Sequence, residues 1–261
     1  MLTNFKYLSD RWRRNCNAER LLGVSITGQW DSEIVREPSV LKRMREMAVK
    51  TNEEYAIRFN ITPSTAVTCG KPSGTVSQLV DASSGLHTRF SQYYIRRVRI
   101  TATDPLFKLM RDQGVPYHPE VGQDPLTAHT FVLEFPVKAP EGAKTGEDHG
   151  AIAQLKHWLN LKQNFTEHNP SATIFIKPDE WDEVRDWVLD HWESVGGLSF
   201  LPFNDSVYEL QPYQAITKKQ YDEMKNSFPP IDFSLLREYD RGDETVGAKT
   251  FACAGNVCEV V

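Results

Sequence analysis

The sequence has no apolar run long enough to cross a membrane. It has little to recommend it as a duplex-binding protein either. Thirty Lys and Arg against thirty-five Asp and Glu leave a net charge of −5, the wrong sign for affinity built on phosphate contacts. The basic run Arg96-Arg97-Val98-Arg99 is local. No membrane partner and no direct nucleic-acid partner are expected. The start of the chain, Met1 to Arg14, lacks the apolar core of a signal peptide and turns basic at Arg11, Arg13 and Arg14, so a cytoplasmic location is expected. Cysteine is scarce, with four in 261 residues. In a reducing compartment these read as free or catalytic thiols rather than structural bridges. No internal repeat is visible. Hydrophobic residues make up 40%, which is enough for a globular core and too much for a disordered chain.

Strand and helix patterns alternate along the chain, which predicts an α/β architecture. Leu21 to Thr27 reads as a short strand. Pro38 to Phe59 reads as the strongest helix, with Leu41, Met44, Ala48, Tyr55 and Phe59 at helical spacing and proline in the first turn. Tyr93 to Thr101 alternates as a strand, with arginines on both faces. Those arginines either face water or meet a carboxylate or anion. Asp104-Pro105 caps a helix that Gly114 stops. Ala128 to Phe135 is strand-like, and Ala151 to Phe165 is helical. Ser171 to Ile176 and Leu198 to Leu201 are short strands around a helix, Pro178 to Val195. That helix sets Trp181, Val184, Trp187, Val188 and Trp192 toward a core. Thr217 to Gln220 has capping-box spacing. Residues 240–261 show no periodicity and read as a flexible tail.

The stretch with most chemistry is Lys71-Pro72-Ser73-Gly74-Thr75, between the β-branched run Thr65 to Thr68 and a short helix at Val76 to Val80. Gly74 lets the backbone approach a ligand closely. Amides at a helix start favour an anion. Ser73 and Thr75 carry hydroxyl donors, and Lys71 adds charge. The same residues would equally suit a capped strand-to-helix turn, and both readings stay open on the residues alone. It is not a Walker A loop, because Thr65 stands where that motif needs glycine. At the other end, Cys253-Ala254-Gly255-Asn256-Val257-Cys258 places two thiols four residues apart. Such a pair can exchange with a disulfide elsewhere. It could also be half a zinc site, for which the tail offers no histidine, or two incidental surface cysteines.

The loop and the terminal pair, in this order, resemble the ribonucleotide reductases, in particular the adenosylcobalamin-dependent class that reduces triphosphates. Lys71-Pro72-Ser73-Gly74-Thr75-Val76 is similar to that family's substrate-phosphate loop. Asp81 to His87, Tyr94 to Arg99, Glu134 to Lys138, Glu167 to Ile174, Ser199 to Pro202 and Arg20 to Gly28 continue the likeness. The resemblance implies that Pro72, Ser73, Gly74 and Thr75 bind substrate phosphate, and that Cys253 and Cys258 are the redox shuttle. It implies a ribonucleoside tri- or diphosphate substrate, adenosylcobalamin as cofactor and a thioredoxin-like reductant.

The family also needs a radical cysteine with asparagine two residues before it and glutamate two residues after. Asn15-Cys16 followed by Glu19 misses both offsets, so Cys16 is not that residue. The chain therefore looks like the C-terminal part of a split or truncated reductase. Residues 1–239 would be the later part of a ten-stranded α/β barrel, and 240–261 a flexible redox tail. An N-terminal reductase polypeptide would be its partner and would hold most of the cofactor. The alternatives are a stand-alone phosphate- or nucleotide-binding protein and a non-catalytic remnant.

Overall fold

The computed structural model describes residues 5–74, 76–146, 148–203, 209–240, 251–254 and 257–260. The chain divides into two compact units, Met1–Arg89 with Pro140–Asn204 and Phe90–Ala139 with Asp205–Val261. No helix among the described residues is long and apolar enough to cross a membrane.

The first unit begins with α1 (Asp10–Glu19) and α2 (Pro38–Phe59). Proline in the first turn and a left-handed Asn60 at the end bound α2 at the residues its pattern predicts. The second unit opens with β1 (Tyr93–Thr101), α3 (Pro105–Asp112), β2 (Tyr117–Pro119) and β3 (Thr130–Lys138). The Asp104 carboxylate accepts from the Leu106 amide and caps α3. The chain then returns to the first unit with α4 (Ala151–Asn164), β4 (Ala172–Ile176), α5 (Trp181–Asp190) and β5 (Leu198–Pro202). It ends in the second with β6 (Tyr213–Ala215), α6 (Lys218–Ser227), α7 (Leu236–Tyr239), β7 (Phe251–Ala254) and β8 (Val257–Val260). The capping box expected at Thr217 forms with Gln220.

In the first unit β4 and β5 pair in parallel, joined by α5 as a parallel crossover requires. The core forms where Leu155, Trp158 and Leu161 of α4 meet Ile174 and Ile176 of β4, with Leu41, Leu86 and Trp187. Two apolar sets differ from expectation. In α2 only Leu41 and Ala56 are buried, and Met44, Tyr55 and Phe59 are exposed. A helix of 22 residues runs about 33 Å, against about 21 Å for α4, so its apolar stripe outlasts its neighbour. In α5, Val184 and Trp187 are buried, but Trp181 and Trp192 are exposed. Trp181 opens the helix and Trp192 lies beyond its end at Asp190. The Leu21–Thr27 stretch makes a single parallel bridge, Val24 with Thr68, rather than a strand.

In the second unit a four-stranded sheet runs in the order β2-β3-β1-β6, antiparallel at each pairing. The arginines of β1 meet partners inside the unit. Arg97 Nε donates to Glu134 Oε1 at 2.6 Å and Arg97 Nη2 to Gln214 Oε1 at 2.7 Å. Arg99 pairs with Glu120, and the Arg96 guanidinium lies 4.3 Å from the centre of the Tyr213 ring. Phe107, Met110, Val115, Ile100 and Leu133 form a second core. The final segment departs from the patternless tail: β7 and β8 form an antiparallel hairpin. Gly255-Asn256, between them in sequence, is a dipeptide of the kind that links hairpin strands.

Candidate functional site

The anion-type loop is suspended between two fixed ends in the first unit. At its start, the Val24 amide donates to Val67 O at 2.9 Å and the Cys69 amide to Val24 O at 2.9 Å. The Glu167 carboxylate receives the amides of Val67 and Thr68 at 2.7 and 3.1 Å. Gly70 has no room for a side chain: a Cβ there would lie 2.8 Å from Pro170 Cβ and 2.9 Å from Leu161 Cδ2. Beyond the loop, Val76–Val80 forms a short 3₁₀ turn.

The 81–87 segment braces the loop from its other side. Gly85 takes φ +58°, and a Cβ on it would stand 2.8 Å from Lys71 O. Only glycine lets the two backbones come this close. The Ser83 amide donates to Asp31 Oδ2 at 2.7 Å, and Asp31 also receives the buried Arg89, which bridges to Asp81. His87 ties the segment to β4. The Thr173 amide donates to its Nε2 at 3.1 Å, so Nδ1 carries the proton and donates to Ser84 O at 3.1 Å. Burial pushes the His87 ring below its ordinary pKa, against the opposing effect of the Ser84 bond, which keeps this neutral form. His157, buried close by, is pushed down to about 4, chiefly by burial and then by the positive charge of Arg36. It bonds Gln29 Oε1 at 2.9 Å.

A cluster of hydroxyls surrounds the loop. Thr27 Oγ1 lies 2.7 Å from Ser73 Oγ and donates to Ser83 O at 2.8 Å. It also accepts the Gly85 amide at 3.0 Å. The Gly74 amide donates to Ser84 Oγ at 2.9 Å. Ser25 Oγ accepts the Lys71 amide at 3.1 Å. Pro72 and Ser73 are half-buried, and Gly74 is exposed with φ +53°. Thr75 lies outside the described residues. The expected open row of amides is partly in use: Gly74 N serves Ser84, and Val76 N serves Ser73 O at 3.1 Å. A five-residue 3₁₀ turn also contributes less dipole than a full helix. Thr27 and Ser84 were not singled out in the sequence. Their signal is tertiary, since three separate segments supply the cluster.

The two tail cysteines share a hairpin in the second unit, and the register sets Cys253 directly opposite Cys258. Directly opposed residues of an antiparallel pair have Cα atoms about 4.5 or 5.5 Å apart, inside the range of about 4.4–6.8 Å that a disulfide spans. Cys16 and Cys69 are half-buried free thiols. Cys69 faces Gly23, where a Cβ would stand 3.3 Å from its Sγ.

No family model matches the chain. Among curated proteins it is 28% identical over 249 residues to the adenosylcobalamin-dependent ribonucleoside-triphosphate reductase of Lactobacillus gasseri, covering 90% of this chain and 32% of that protein. It is 31% identical over 189 residues to a probable enzyme of the same name from Dictyostelium discoideum, covering 71% of this chain and 24% of that one. The chain thus spans about a third or less of these relatives. Among solved structures, a B12-dependent (class II) ribonucleotide reductase superimposes with a TM-score of 0.71 at 20% identity, over 87% of this chain and 36% of that one. The mixed α/β fold is shared with that structure.

Proposed function

We propose that this chain, a relative of the adenosylcobalamin-dependent ribonucleotide reductases, is the C-terminal part of such an enzyme. It would supply the substrate-phosphate loop and a thiol shuttle, and act with a polypeptide corresponding to the part of the relatives it does not span. The observation that carries the reading is the pairing of Cys253 with Cys258 in a chain that also holds a surface loop of the phosphate-binding type.

The strands described here fall into sheets of four, two and two. A ten-stranded barrel would need strands from the partner, and the parallel pair β4–β5 offers edges to them.

The charged groove of the first unit does not suit adenosylcobalamin. The groove between α2 and α4, of about 510 Å³, is lined by charged groups including Lys42, Arg45, Glu46 and Glu53. A corrin with its adenosyl group exceeds the drug-sized ligands that fill pockets of about 300–1,000 Å³, and that groove includes none of the loop residues. The cofactor and its radical chemistry are assigned to the partner.

The chain's own part begins with the substrate. Pro72, Ser73, Gly74 and Thr75 would hold the phosphates of a ribonucleoside tri- or diphosphate, fixing the ribose for reaction. Replacing the 2′ hydroxyl by hydrogen releases water and takes two electrons, drawn from a dithiol on the partner that becomes a disulfide. A thiolate of the Cys253–Cys258 pair attacks that disulfide, and a mixed disulfide forms. The second thiolate then displaces the partner sulfur, so the partner dithiol is restored and the tail pair is oxidised. A thioredoxin-like dithiol returns the tail pair by the same exchange.

The test is turnover in the assembled enzyme. With Cys253→Ser or Cys258→Ser, deoxynucleotide formation driven by thioredoxin should stop after the first turnovers. A small dithiol that reaches the partner disulfide directly should still sustain it. Loss with both reductants would remove the shuttle role.

A further inference from the structure

Proton accounting in the hydroxyl cluster identifies a ligand-binding group that the loop sequence does not. Each hydroxyl has one proton to give. Thr27 Oγ1 stands 2.8 Å from the Ser83 carbonyl, which can only accept, so the Thr27 proton goes there. The 2.7 Å contact between Thr27 and Ser73 then requires Ser73 to donate. Thr27 is thereby complete, accepting from Ser73 and from the Gly85 amide at 3.0 Å. The Ser73 proton is committed inward.

Ser84 differs. Its Oγ accepts the Gly74 amide at 2.9 Å, and in its 3.4 Å contact with Ser73 Oγ it is again the acceptor, at a length beyond the usual O–H···O range. Its own proton is therefore not spent on Ser73. Ser84 is half-buried beside the exposed Gly74. Its backbone is fixed through the carbonyl that accepts from His87 Nδ1, and His87 is fixed in turn by the Thr173 amide.

We infer that Ser84 is the hydroxyl that donates to an anionic oxygen at this loop, and that Ser73 serves the phosphate loop through its backbone while Thr27 holds its hydroxyl. The ligand class is a phosphate or polyphosphate, and the inference rests on the phosphate reading of the loop. An arriving oxygen takes the Gly74 amide from Ser84 Oγ, and Ser84 Oγ gives its own proton to that oxygen. Hydrogen bonds are exchanged and no covalent bond changes.

The experiment is a titration of the full chain with inorganic tripolyphosphate into the millimolar range, followed at the Gly74 amide by ¹⁵N–¹H NMR. Wild type should show a saturable shift. Ser84→Ala should weaken binding about tenfold or more, as loss of a bond to a charged group does. Ser84→Thr, which keeps the hydroxyl, should restore most of it. Ser73→Ala should weaken binding less than Ser84→Ala does. A Ser73→Ala loss equal to or larger than that of Ser84→Ala, or no rescue by threonine, overturns the Ser84 assignment and leaves the loop as an anion site. No saturable shift in wild type overturns the anion reading and the Ser84 assignment with it.

Discussion

The carboxylate of Glu167 accepts the backbone amide of Val67 at 2.7 Å, across a sequence separation of 100 residues. The same oxygen takes the Thr68 amide at 3.1 Å. A side chain thus satisfies amides that a neighbouring strand would otherwise take, at the point where the chain enters the anion-type loop.

Burial alone would raise the Glu167 pKa, but the amides of Val67 and Thr68, with Arg45, hold it below the ordinary carboxylate value. Its contribution is complete above the unfolded pKa and is lost as pH falls through the folded one. Glu167→Gln should cost about 1–3 kcal/mol at pH 7. It should also flatten the acid limb of stability. Urea midpoints between pH 7 and pH 3 check this, and an unchanged acid limb would count against it.

His157 gives a second pH window. With its folded pKa at about 4 against an unfolded value near 6.5, the unfolded chain binds the extra proton. Stability is whole above about 6.5 and declines toward 4, by at most about 1.4 kcal/mol per pH unit for one proton. His157→Gln, which can still donate to Gln29, should shrink the loss between pH 7 and pH 4.5 in urea unfolding.

Gly85→Ala and Gly74→Ala separate close approach from backbone strain. Both glycines have positive φ, but a Cβ on Gly85 meets Lys71 O at 2.8 Å and Pro72 Cα at 3.3 Å, and a Cβ on Gly74 meets nothing within 4 Å. Gly74→Ala should cost about 1–2 kcal/mol from the left-handed backbone alone. Gly85→Ala should cost more and shift the loop. Thermal unfolding ranks the two.

Arg97 and Glu134 form a pair that is largely out of water. Arg97→Met should destabilise by about 3–5 kcal/mol, because among the described residues it leaves a buried carboxylate with only the 3.5 Å contact of His118. Arg97→Met with Glu134→Met should recover much of that loss. A double variant as unstable as the single one would show that packing, not charge, dominates there.

Much of the fold was legible in local pattern. Tyr93–Thr101, Pro38–Phe59, the Asp104 cap and the Thr217 capping box form where side-chain alternation, first-turn proline and cap chemistry place them. Periodicity says which residues share a face but not how far a partner extends along it. That is why Tyr55 and Phe59, at helical spacing with the buried Leu41, stand exposed. The β7–β8 hairpin was missed because its strands have four residues each, too few for alternation to show. Within the candidate site, the loop's glycine and hydroxyls were readable in order. The roles of Thr27 and Ser84 were not, since a proton's direction depends on carbonyls and amides brought in from other segments.

The most direct measurement of the central claim is deoxynucleotide formation in a mixture of this chain, a polypeptide corresponding to the rest of its relatives, adenosylcobalamin, thioredoxin and a ribonucleoside triphosphate. Multiple turnovers are expected only when both polypeptides are present and both Cys253 and Cys258 are intact. Sustained turnover by this chain alone, or undiminished thioredoxin-driven turnover with both cysteines changed to serine, would contradict it.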